Sequence, residues 1–123
     1  MNDLLSGQRV LVVEDEMMVL MTIEDMLADL GCTMVCVAAT VKAALKLLSE
    51  TARFDMAMLD VNLGNETSYP VADALIVSGT PFLFSTGYGV SRVDARFGGR
   101  PVIKKPYGDA DFRSAITRLM AAA

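Results

Sequence analysis

The sequence predicts an α/β fold, a doubly wound, five-stranded parallel sheet with strand order 2-1-3-4-5. Three observations predict it. Short apolar runs alternate with stretches of helical periodicity along the whole chain. Most of those runs are continuously apolar, as strands covered on both faces must be. The 123 residues, 53% hydrophobic and 21% charged, suit one domain with a packed core.

The elements follow in order. Arg9–Glu14 (RVLVVE) is the first strand. Glu16–Leu30 is a helix with Leu20, Ile23, Leu27 and Leu30 along one face, stopped by Gly31. Thr33–Ala38 is the second strand. Thr40 caps a helix through Glu50, with Ala44, Leu45 and Leu48 inward. Asp55–Leu59 is the third strand and Ser68–Val77 the third helix. Pro81–Ser85 is the fourth strand, Val90–Phe97 a short helix or loop, and Pro101–Lys104 the fifth strand. Asp109–Met120 closes the chain as a helix with Phe112, Ile116, Leu119 and Met120 inward. Met17, Met18, Met21 and Met26 fall on the first helix. Most are expected in the core, with Met17 or Met18 alternatively at a pocket mouth, touching a partner.

Composition excludes several classes of function. A net charge of −4 argues against a broad nucleic-acid or anionic-membrane surface. No apolar run reaches the roughly 18 residues of a membrane span, and the N-terminus lacks the order of a signal peptide, so a cytoplasmic protein is expected. Cys32 and Cys36 read as reduced, partly buried residues, and a zinc site lacks partner ligands. With no histidine, Ser-His and Cys-His catalysis is excluded, and a phosphohistidine has to come from another protein.

In this fold class ligands bind beyond the carboxyl ends of the strands. Those ends carry Glu14-Asp15-Glu16, then Asp60, then Ser85-Thr86-Gly87, then Lys104-Lys105-Pro106. With strands one and three adjacent, three acids gather at one point. Their mutual repulsion calls for a cation, and hard oxygen donors suit Mg²⁺. Lys105 supplies a compact positive charge and Thr86 a hydroxyl donor. The set suits phosphoryl transfer onto a carboxylate, Asp60. Taken singly, these residues have plainer readings. Asp15 can cap a helix, Glu16 can be a solvated first-turn residue, Asp60 can start a turn and Thr86 can cap the next helix. Lys104 and Lys105 point to opposite sides, so one of them reaches the pocket. Gly87-Tyr88-Gly89 hints at a dinucleotide loop, but Arg92 stands where the third glycine belongs.

VLVVEDE, MLDVNL, FSTGYG and VIKKPY, in this order and at these spacings, resemble the receiver domain of two-component response regulators, a flavodoxin-like fold. The resemblance covers essentially the whole chain. It implies that Asp60 accepts a phosphoryl group from a histidine kinase or a histidine phosphotransfer protein. It implies Mg²⁺ held by Glu14, Asp15, Asp60 and the backbone carbonyl of Asn62, and phosphoryl oxygens bonded by Thr86 and Lys105. It implies a signalling protein that assists its own phosphorylation and dephosphorylation rather than an enzyme. Pro106 is often preceded by a cis bond in this family. FSTGYG resembles the Phe-Ala-Thr-Gly-Tyr motif of single-domain receivers, with Ser85 in place of the alanine. Val102 stands where most receivers carry an aromatic residue, so the switch is expected in Thr86, Gly87, Tyr88 and Gly89 instead. One stand-alone domain, 1–123, is expected, without an output domain, as a monomer acting on a downstream protein. A phosphate sink or shuttle without a switch is the alternative. A small nucleotide- or flavin-binding enzyme is the more distant one, since the acids after strand one repel phosphate unless metal intervenes.

Overall fold

The computed structural model describes residues 4–50, 53–87, 93–105 and 107–122. Its elements are β1 (Arg9–Val13), α1 (Met17–Asp29), β2 (Met34–Ala38), α2 (Val41–Glu50), β3 (Met56–Asp60), β4 (Asn62–Leu63), β5 (Glu66–Thr67), α3 (Tyr69–Ser78), β6 (Phe82–Thr86), β7 (Val102–Lys104) and α4 (Asp109–Ala122), with a 3-10 turn at Ala95–Phe97. Five strands form one parallel sheet in the order β2-β1-β3-β6-β7. This is the expected 2-1-3-4-5 order, once the small β4–β5 ribbon is set aside.

The strands read as continuous apolar runs because alternate residues feed two cores. Val10, Val12, Met56, Met58, Leu83 and Ile103 pack on one face with Ile23, Leu27, Phe112 and Ile116 of α1 and α4. Leu11, Val13, Ala57, Leu59, Phe82 and Phe84 pack on the other with Ala44, Val71 and Leu75 of α2 and α3. Successive side chains of a strand point to opposite faces, so a sheet covered on both sides has no polar face to display.

The helix ends follow local chemistry. Cys32 N–H donates to Leu27 O and Gly31 N–H to Ala28 O, with Gly31 at φ 87°, which is the Schellman closure expected of a glycine past a helix. Thr40 Oγ1 accepts from Ala43 N–H and caps α2 as expected. Glu66 adds a second contact there, accepting from Val41 N–H. The cap position of α1 falls on exposed Glu16, not on Asp15.

Two expectations are corrected and one element is added. Leu45 of α2 is exposed, and Leu47 packs with Leu48 against the core in its place. A helix of this length covers the sheet with a narrow stripe, and the apolar residues of KAALKLL span more than that stripe. The first-helix methionines are not mostly core: Met17, Met18 and Met21 are 69%, 78% and 54% exposed, and Met26 alone of the four is partly buried against the core. Residues 62–67, given no element by the sequence reading, form an antiparallel hairpin around Gly64-Asn65. Gly64 has φ 64° and Asn65 is not in the positive region, as a hairpin turn with glycine first requires. Within the Val90–Phe97 stretch, the described residues hold the 3-10 turn, whose Asp94 carboxylate accepts from Arg96 N–H.

Candidate phosphoryl and metal site

Parallel pairing brings the carboxyl ends of β1, β3, β6 and β7 to one edge. Glu14 follows β1 and is held there by its backbone, whose N–H donates to Ala38 O. Asp60 ends β3 opposite Ser85. Glu14 is 2% exposed and Asp60 7%, while Asp15 is exposed. Glu14, Asp15 and Asp60 each offer a carboxylate oxygen within 4.8 Å of the others. The buried acid closing the apolar third strand is therefore not alone.

Lys105 answers it. Its Nζ lies 3.0 Å from Glu14 Oε1 and 3.3 Å from Asp60 Oδ2. Its backbone N–H donates to Thr86 O at 2.8 Å, which fixes the residue just past β7 to the end of β6. Lys104, by contrast, is exposed. Glu14 is tied down twice, because its Oε2 accepts from Glu16 N–H. Thr86 is buried at the end of β6. Asn62 stands in β4, two residues past Asp60. The hairpin tip reaches back over the cluster: a Cβ at Gly64 would lie 4.0 Å from Asp15 Oδ2. Beside Gly87 a Cβ would meet nothing within 4 Å, so that position leaves space. Tyr88, Gly89 and Pro106 lie outside the described residues.

The electrostatics are unbalanced. Three carboxylates face one ammonium. Burial first, and then the charge of Glu14, push Asp60 up to about 7, against the pull of Lys105. For Lys105 burial opposes the charge, but the bond to Glu14 and the charges of Asp60 and Glu14 outweigh it and the net direction is upward. One divalent cation would offset the two remaining negative charges, and the donors are the hard oxygens Mg²⁺ prefers. The residues present fit that ion.

Two features went unread in the sequence. Tyr107 packs beside the site, its ring on Phe112 at 5.9 Å, and lines an apolar groove of about 310 Å³ with Glu16, Val19, Thr22 and Lys105. The Lys-Pro-Tyr order was the available signal, since it ties Tyr107 closely to Lys105. Arg96 pairs with both oxygens of Asp73 and lies over the Phe97 ring at 4.1 Å. No spacing rule joins residues 23 positions apart. A larger cavity, about 340 Å³, opens between Leu48, Phe54 and Thr80, at the opposite end of the sheet from these acids.

Comparison with known proteins agrees with this geometry. Residues 10–117 match the family model described as the response regulator receiver domain. The chain is 30% identical over 119 residues to the phyllosphere-induced regulator PhyR of Methylorubrum extorquens, covering 90% of this chain and 43% of that protein. The chain thus spans less than half the length of that relative. Among solved structures it superposes on SdrG from Sphingomonas melonis Fr1 with a TM-score of 0.82 at 41% identity, covering 92% of this chain and 96% of that one. It also superposes on the receiver domain of Erythrobacter litoralis PhyR, with a TM-score of 0.78 at 20% identity over 94% and 92% of the two chains, a likeness of fold alone.

Proposed function

The chain belongs to the response regulator receiver domain family, and from that premise we propose that it is a phosphoacceptor of a phosphorelay, with Asp60 the accepting residue. Receivers are signalling proteins and generally use Mg²⁺ at an acidic pocket. The single observation that carries the assignment to Asp60 is its place: a buried carboxylate 3.3 Å from Lys105 Nζ, in a cluster with Glu14 and Asp15.

Each residue has a role in this reading. Asp60 Oδ attacks the phosphorus of a phosphohistidine, the P–N bond breaks as the O–P bond forms, and the donor imidazole leaves with the electron pair. Lys105 holds one phosphoryl oxygen and Thr86 another. Glu14, Asp15, Asp60 and the Asn62 carbonyl would hold Mg²⁺, which when bound supplies charge neutralisation for phosphoryl oxygens. The donor is a histidine kinase or histidine phosphotransfer protein. Exposed Met17, Met18 and Met21 on α1 support docking at that helix, since flexible apolar side chains suit adaptable contact surfaces. The chain's Thr86–Gly89 segment switches contacts with a downstream protein.

Incubation with phosphoramidate and Mg²⁺ followed by mass spectrometry tests the assignment. One added phosphoryl group is expected, and none in Asp60→Asn. An equal gain in the variant rejects it. Amide spectra of residues 86–89 that ignore beryllofluoride would favour a phosphate shuttle over a switch.

A further inference from the structure

Two buried hydroxyls beside Lys105, Ser85 Oγ and Tyr107 Oη, make no well-formed hydrogen bond to any other group. A buried hydroxyl left unpaired is costly, and native interiors rarely leave one without a reason. These two bear on each other. Ser85 is the polar side chain set against the Tyr107 hydroxyl, with Lys105, Glu14 and Asp60 around it. We propose that Ser85 and Tyr107 are positioning residues for Lys105, their hydroxyls pairing to hold the chain on both sides of the lysine against the end of β6.

The framework for that bond is in place. Lys105 N–H is already tied to Thr86 O, so a Tyr107–Ser85 bond would fasten residues 105 and 107 to two consecutive residues of one strand. Tyr107 cannot swing freely, because its ring stacks on Phe112. Ser85 stands opposite Asp60 in the β3–β6 register, so the strand that carries the bond also flanks the acceptor. A lysine bridging Glu14 and Asp60 at 3.0 and 3.3 Å delivers its charge only while its chain is held to within fractions of an ångström. Tyr107 also lines the groove beside α1, so a molecule seated there would touch the same residue whose hydroxyl braces Lys105. Ser85 also departs from the alanine of the motif it resembles, placing a hydroxyl where that pattern has a methyl group.

This inference rests on the phosphoacceptor reading. Ser85→Ala and Tyr107→Phe each remove one oxygen and little else. With phosphoramidate and Mg²⁺, each single variant is expected to lower the maximal phosphorylation rate about fivefold, the effect of one hydrogen bond used for positioning. Half-saturating phosphoramidate and calorimetric Mg²⁺ affinity stay unchanged, and the double variant is no slower than either single one. Single variants at the wild-type rate, a double effect equal to the product of the singles, or a rate that falls in step with Mg²⁺ affinity would each overturn the pairing. Failure of the wild-type chain itself to take up a phosphoryl group overturns the phosphoacceptor reading, and this inference with it. Uptake by the wild type with unaffected variants overturns the pairing alone.

Discussion

Lys105 Nζ stands 3.0 Å from Glu14 Oε1 and 3.3 Å from Asp60 Oδ2, so one ammonium joins the ends of two neighbouring strands. It neutralises the same carboxylates that a divalent cation would. A divalent cation held by these acids would therefore compete electrostatically with the lysine. Lys105→Met is expected to tighten Mg²⁺ binding, because a positive charge beside the ligands is removed. It is also expected to slow phosphorylation by phosphoramidate by tenfold or more, roughly the loss of one charge-assisted bond to the transferred group. Calorimetry against a mass-spectrometric time course separates the two effects. Weaker Mg²⁺ binding in the variant would refute the competition.

Asp60 titrates at about 7 in the folded chain against an ordinary 3.8, chiefly through burial and then through Glu14. The unfolded chain releases this proton near its ordinary value, while the folded chain holds it to near neutrality. Folding then takes up a proton, so this residue's contribution is fully present at low pH and is lost as pH rises through 7. In metal-free buffer, urea unfolding from pH 5 to 7.5 is expected to show wild type losing stability relative to Asp60→Asn, with the variant the more stable at pH 7.5. A difference that stays flat, or runs the other way, contradicts the raised value.

Asp15 is the exposed member of the acidic trio, and Glu14 and Asp60 are the buried ones. Loss of an exposed carboxylate hardly touches packing. Asp15→Asn is expected to change metal-free stability by less than about 0.5 kcal/mol, the range of ordinary surface substitutions. Mg²⁺ at ten times its wild-type dissociation constant stabilises wild type by about 1.4 kcal/mol through mass action, and the variant by clearly less. Thermal unfolding with and without Mg²⁺ measures both quantities, and an undiminished metal effect in Asp15→Asn removes this residue from the ligand set.

Two of the contacts that anchor the 3-10 turn after the Thr86–Gly89 segment to the body of the domain differ in kind. Phe97 is buried between Tyr69 and Phe84, with ring centres at 5.1 and 5.4 Å. Arg96 pairs with Asp73 at the surface. Magnitudes decide which contact holds the turn. A deleted core phenylalanine costs about 3–5 kcal/mol, whereas a fully exposed ion pair contributes far less and fades with salt. Phe97→Ala should therefore destabilise the chain several times more than Asp73→Ala, and only the second effect should shrink in 1 M NaCl. Equal urea midpoints for the two variants would reverse the ranking.

Much of this architecture was legible along the chain because its signals are local. Strand identity follows from runs such as RVLVVE and PFLFS, and helix ends from Gly31 and Thr40, each within a few residues of the feature it sets. The identities of Glu14, Asp15, Asp60, Thr86 and Lys105 could be read in the same way, since each closes a recognisable strand. The β4–β5 hairpin was missed because its strands have two residues each, too few for alternation to register. The methionines of α1 misled because hydrophobicity says what a residue would gain by burial, not whether a neighbour is there to bury it.

The sequence by itself determined the order of strands and helices and which chemical groups stand at the strand ends, because backbone propensity and apolar periodicity act over one or two turns of chain. Only the tertiary structure decided how closely these groups meet: that Lys105 Nζ bridges Glu14 and Asp60 at 3.0 and 3.3 Å, that Tyr107 packs on Phe112 beside Lys105, and that Met17, Met18 and Met21 face outward. Those outcomes depend on strand register and on packing between residues tens of positions apart, and the free energy of such contacts exists only once the sheet has closed.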